Sequence, residues 1–296
     1  MTAVPATAGD LALPPTPGGD HEVRSRGTFS GALRWEVRKL RHQLRTRAVL
    51  LGVLLGPVPV VVVLHAQSRP PKDTLFGRFA TENGFALALL VLGFAAQWVL
   101  PLLTAIVAGD VFASEDQHGT WKTVLTRSTS RGRLFWAKAV AASGFSVMVL
   151  VVLASSTVLA SLLVVGHQPL TGLSGQVVPP DLALRLVIGS WLSVLAPMLA
   201  FTGLAVLLSV WSRNPAVGVA APVVLGLVMQ LVGALGGAEA LRAVLPTTAF
   251  EAWHGLLASP RFTGPLVEGS LVSLGWLALT LLTAYVLLRR RDITGG

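Results

Sequence analysis

The 296-residue chain is 53% hydrophobic and only 12% charged, whereas a soluble domain has about 25% charged residues. It has no cysteine, which excludes disulfides and cysteine-ligated metal, and its +9 net charge needs an explanation. An ordinary water-soluble fold is excluded, because its helices would keep one wet face throughout.

Residues 1–29 open with MTAVPATAGDLALPPTPGGD, rich in Pro, Gly, Ala and Thr and without apolar periodicity. They are expected to form a disordered cytoplasmic tail. The next stretch, 30–47, reads SGALRWEVRKLRHQLRTR. Leu33, Val37, Leu40 and Leu44 recur at helical spacing, and Arg34, Arg38, Arg41 and Arg45 follow one step round. With Trp35 at an interfacial position, this predicts a basic amphipathic helix lying in the headgroup layer, its cations facing anionic lipid.

Six uncharged windows follow: 48–68, 83–109, 139–166, 186–212, 214–238 and 269–288. Each matches the roughly 20 residues that cross a hydrocarbon core about 30 Å thick. They predict spans at about 48–66, 84–108, 139–166, 186–211, 215–236 and 269–288. The first follows a long polar segment and lacks a small-residue cleavage site, so it is expected to be retained. No short alternating segments point to a barrel. The expected fold is therefore an all-α integral membrane protein: six transmembrane helices preceded by a cytoplasmic interfacial helix, together one permease domain over 30–296. Pro57, Pro59, Pro101, Pro197 and Pro222 fall inside spans, where neighbouring helices must satisfy the carbonyls they free.

Between the second and third spans lies GDVFASEDQHGTWKTVLTRSTSRGRLFWAK, residues 109–138, with three carboxylates and five Lys or Arg. Asp110, Ser114, Glu115 and Asp116 come early, where a helix N-terminus favours negative charge. Gly119 is expected to end that helix, and Thr120-Trp121-Lys122 to begin the next element. Glu115 is expected to form an exposed ion pair with Arg34, Arg38 or Arg41. Farther on, SRNP (212–215) reads as a tight turn. Segment 239–268, with Leu241, Phe250 and Trp253, reads as short helices dipping into the outer leaflet.

Basic residues orient the chain. If the N-terminus is cytoplasmic, 17 of the 23 Lys and Arg lie inside and the external segments are neutral overall. That obeys the positive-inside rule and predicts both termini in the cytoplasm. The basic excess is then a topology signal, with no call for nucleic acid.

Several chemistries are missing. There is no G-x-x-x-x-G-K-[ST] loop and no H-E-x-x-H, and the six histidines lack paired metal-ligand spacing. GLSG at 172–175 resembles the G-x-S-G of intramembrane proteases. It lies in an external loop, as does His254, so a turn is the better reading. The spans carry no ionisable residue away from their ends, which counts against an ion-coupled carrier. Gln97 and Gln230 are the amides well inside spans. They are candidates for a substrate pathway or for helix–helix bonds.

Glu115, Gly119-Thr120, Val124-Leu125, Ser130-Arg131 and Lys138, in that order after the second span, resemble the corresponding loop of type-2 ABC transporter permeases. The amphipathic helix, the six-span layout and the closing RRRDI (289–293) are similar as well, although Ser128-Thr129 stands where that family commonly has proline. The resemblance implies that 109–138 is a coupling helix docking on a separate ATPase subunit. Glu115, Asp116, Gly119, Thr120, Trp121 and Lys122 would be the coupling residues, with Arg34, Trp35, Arg38, Leu40 and Arg41 on the interfacial helix. It implies a non-enzymatic permease, paired with a second permease, in a bacterial plasma membrane. ATP and Mg would be held by the partner ATPase and no cofactor by this chain, and a hydrophobic or amphipathic substrate would be exported. An ion-coupled carrier and a non-transporting anchor or sensor remain as alternatives.

Overall fold

A computed structural model describes residues 28–67, 74–121, 130–235, 237 and 239–291. The expected tail, apart from its last two residues, lies outside these, and so does Lys122. The fold is all-α, with six helices long and apolar enough to cross a membrane.

The first helix, α1 (Phe29–His42), starts at Thr28, whose hydroxyl accepts from the Gly31 N–H at 3.2 Å. It stops short of the expected Arg47, because Gln43 is extended (φ −72°, ψ 132°). Arg47 Nε donates to the Arg41 carbonyl at 2.9 Å and so fills one of the orphaned acceptors at the helix end. The break rotates everything after it. Leu44, expected on the apolar stripe, is 82% exposed, and Val37 is also exposed, while Leu40 is buried.

The first span joins α2 (Leu44–Leu55) to α3 (Pro57–Ala66) through Gly56. The second runs from Gly84 as α4 (Gly84–Phe94), a π-helical turn (Ala95–Val99) and α5 (Leu100–Ala108), and reaches α6 (Ala113–Gln117) after one turn. Asn83 caps it, accepting from the Phe85 and Ala86 N–H groups, while its amide donates to the carbonyls of Gln168 and Pro169. The third span is one long helix, α7 (Arg131–Val164). A small hairpin (Leu170–Thr171 with Val177–Val178) leads to the fourth, α8 (Pro180–Ser193) and α9 (Leu195–Ser212). The fourth span is interrupted at Val194, next to the carbonyl of Ser193 that Pro197 cannot reach with an N–H. Arg213 (φ 57°) and the cap Asn214 turn the chain into the fifth, α10 (Pro215–Ala234). Segment 239–268 folds as α11 (Glu239–Arg242) and a 3-10 helix (Thr248–Leu257), and α12 (Gly264–Arg290) is the sixth span.

The second and fourth spans form the centre. Some 61% and 67% of their most apolar windows are buried, against 33% or less for the other four, whose apolar faces remain for lipid. Where the second span ends it crosses the start of the fifth with no side chain between. A Cβ on Gly109 would sit 2.1 Å from the Gly218 carbonyl, and one on Gly218 equally close to that of Gly109. This glycine pair lets two backbones touch.

Candidate functional site

The segment after Gly109 is folded in, not draped over the surface. Phe112 and Ala113 N–H both donate to Ser209 Oγ on α9, at 3.1 and 3.0 Å. A hydroxyl from another span thus satisfies donors that open α6. The other end of α6 closes in a Schellman cap. Gly119 adopts φ +62°, its N–H bonds the Asp116 carbonyl at 3.2 Å, and Thr120 N–H bonds that of Glu115 at 3.0 Å. The Gly-Thr pair is therefore the stop signal expected of Gly119. Thr120 adds a second tie, since its hydroxyl donates to Glu115 Oε2.

Glu115 is buried at 3% exposure, so the expected exposed pair is replaced by an interior one. Its Oε1 accepts from Lys39 Nζ at 2.5 Å and Lys138 Nζ at 2.9 Å. Lys138, 1% exposed, also donates to Glu36 Oε2 at 3.1 Å and to the Val111 carbonyl at 3.3 Å. Two lysines thus face two glutamates, and each of the three Lys138 N–H donors has an acceptor. Buried charge persists only when paired in this way.

Arg34, Arg38 and Arg41 are not the partners of Glu115, and helical geometry explains why. At 100° per residue, Lys39 and Leu40 share a face with Glu36, whereas the three arginines lie on the opposite side. There they line an open basic groove with Val37, His42 and Arg47. Trp35 is about half exposed beside it.

Two further ion pairs tie the segment down. Asp116 takes a two-pronged contact from Arg291 (Nη1 to Oδ2, 2.9 Å) and accepts from Trp121 Nε1 at 3.0 Å. The Arg291 carbonyl in turn accepts from Arg131 at 2.9 Å. Asp110 pairs with Arg45 at 2.7 Å. Trp121 stacks on Phe112, which meets Phe135, which meets Tyr285 of the sixth span. Among the described residues of 110–121, only Gln117, His118 and Gly119 are exposed. The segment offers a small tip and holds it from five other elements.

Sequence reasoning placed Glu115, Asp116, Gly119, Thr120 and Trp121 together, as the structure does, but took them for an outward surface. It missed Glu36, Lys39, Arg45, Ser209 and Arg291. The available signal was Glu36, the sole acid of 30–47, one turn before Leu40.

Gln97 and Gln230 lie elsewhere, and the structure brings them to each other. Pro101 has no N–H to give the Gln97 carbonyl, and Gln230 Nε2 donates to that oxygen at 2.6 Å. The Gln97 amide donates to Glu251 Oε1 at 2.6 Å. Ser174 Oγ accepts from the Ser259 N–H, and no hydrogen bond joins it to His254 among the described residues. The G-x-S-G stretch is a turn.

A family model described as ABC-2 family transporter protein matches residues 32–233. A search among curated proteins finds no match. The match runs from α1 to the end of the fifth span and takes in Glu36, Lys39, Asp110, Glu115, Asp116, Lys138 and Ser209. The chain therefore belongs to the ABC-2 family of transporter proteins and is a multi-pass membrane permease component, distinct from the subunit that binds ATP.

Proposed function

We propose that this permease belongs to an ATP-driven exporter and receives its drive through α6. A separate ATPase subunit, holding ATP and Mg, docks on the exposed tip Gln117–Gly119. Glu115, Asp116, Thr120 and Trp121 act behind it, as the residues that keep the tip rigidly joined to the spans. The observation that carries this reading is the contrast within one short segment. Its outward side is the short exposed tip Gln117, His118 and Gly119, while its inward side is fastened to α1, α2, α7, α9 and Arg291 beyond α12. A lever must be stiff at its root, and rigid-body motion of an attached domain then reaches several spans at once.

In this reading the α6 end of the bundle is cytoplasmic, with both termini, in a bacterial plasma membrane. A second permease, identical or homologous, completes the pathway, and the substrate is hydrophobic or amphipathic. The test is a cysteine at His118, crosslinked to a surface cysteine on the ATPase subunit in membranes. A crosslink that changes yield between nucleotide-free and ATP-bound states is expected. Absence of any crosslink from positions 117–119, with one forming from the basic groove of α1 instead, would place the dock elsewhere.

A further inference from the structure

Away from α6, the carboxylate of Glu251, an exposed residue of the connecting 3-10 helix, meets the second span at Gln97 and has no ion-pair partner among the described residues. Gln97 is twelve residues from Gly109 and thirteen from Gly84, so it lies ~18–20 Å along the helix from each. That is near mid-depth of a bilayer core about 30 Å thick. Glu251 meets it there, although it belongs to the connecting 3-10 helix and not to a span. The spans are free of such charge, as their sequence indicates; the connecting segment supplies it. An ionisable residue at that depth is costly and points to function.

Two clefts of about 310 Å³ each meet at Gln97 and Glu251. The first has largely apolar and aromatic walls, among them Phe76, Leu89, Phe94, Phe250 and Trp253. Phe76 and Trp253 stack with centroids 6.0 Å apart. The second adds Gln230, Thr247 and Thr248. No Lys or Arg lines either cleft among the described residues. His254 does line the first, but burial holds its pKa below the ordinary histidine value in spite of the nearby Glu251, so it does not supply the missing charge. The only hydrogen bond to the Glu251 carboxylate among the described residues comes from a neutral amide.

We propose that this double cleft binds an organic cation of the ammonium type with an apolar or aromatic body. The Glu251 carboxylate pairs with the ammonium group and the aromatic walls hold the body. Cation–aromatic attraction adds to the ion pair in such a setting. The proposal rests on the exporter reading for its purpose and names the class of cargo. The same chemistry is offered by a free lipophilic amine and by the headgroup of phosphatidylethanolamine.

The test uses the full-length permease in nanodiscs, without ATP or ATPase, so that a failure of coupling does not affect it. Ethidium, a fixed organic cation, is titrated by fluorescence anisotropy. Saturable binding is expected, weakened about tenfold or more by Glu251→Gln and largely kept by Glu251→Asp. Dihydroethidium, which has the same ring skeleton without the fixed charge, should bind the wild type at least about tenfold more weakly. Ethidium binding that weakens when phosphatidylethanolamine replaces phosphatidylcholine at a fixed phosphatidylglycerol content, so that the surface charge is unchanged, supports the headgroup as natural occupant. Unchanged binding supports a free amine. Failure of ethidium to saturate, equal affinity for both probes, or an unchanged Glu251→Gln variant that melts like wild type would each overturn the proposal.

Discussion

Lys138 and Glu115 meet at 2.9 Å with only 1% and 3% of their side chains exposed, which makes theirs an interior contact between the third span and α6. Lys138→Met is expected to leave Glu115 with Lys39 alone and Glu36 without an ion-pair partner among the described residues. Removing one partner of a buried pair costs about 3–5 kcal/mol. A drop of several degrees in the melting temperature of the purified permease should follow. The double change Glu36→Gln with Lys138→Met should recover part of it, because it removes the buried charge left unpaired. Additive losses would mean that the two charges act independently.

Gly119 can be tested separately from packing. A Cβ there would touch nothing within 4 Å, so a substitution is penalised only through φ +62°. Gly119→Val is expected to cost about 1–2 kcal/mol and to loosen the cap, whereas Gly119→Asn should be milder. Substrate-stimulated ATPase activity of the reconstituted complex should fall with Val and stay near wild type with Asn. Equal activity of both would show that the cap geometry is irrelevant to coupling.

Orientation can be read directly, since the chain has no cysteine of its own to confuse labelling. Cysteines at His118 and Arg38 should resist an impermeant thiol reagent in intact cells and react after permeabilisation. Cysteines at Ser174 and Val177 should label at once. The reverse pattern would turn the bundle over and detach α6 from the cytoplasmic ATPase.

Gln230→Leu removes the donor that Pro101 makes necessary. The Gln97 carbonyl then has to find another partner inside the bundle. Interhelical hydrogen bonds of this kind contribute ~0.6–2 kcal/mol, so a small but measurable fall in thermal stability is expected. A larger effect on ligand binding than on melting would show that Gln230 touches cargo as well.

The six spans were legible because hydrocarbon admits only long uncharged helices, and Pro57, Pro101 and Pro197 fall just after the interruptions of their spans, whereas Pro222 lies within an unbroken helix. Gly119 was legible as a stop, because few residues accept its backbone angle. The partners of Glu115 were not. Periodicity says that Arg34, Arg38 and Arg41 share a face, but it does not say which face meets the protein. That choice was made by Glu36, which can be buried only where Lys138 receives it. The break at Gln43 was hidden as well, since nothing in HQLRTR forbids a helix. The depth of Glu251 depends on how a connecting segment folds back, and composition cannot show that.

Arg291 is separated from its partner Asp116 by 175 positions. During synthesis the α6 segment therefore emerges long before the arginine that clamps it. The α6 tip lacks this clamp until the sixth span has been made, and on the proposed coupling role the order of translation would act as an assembly checkpoint. A nascent chain halted after the fifth span should sit in the membrane yet fail to recruit the ATPase, which a pull-down from stalled ribosomes would reveal. A half-made permease would then engage no ATPase.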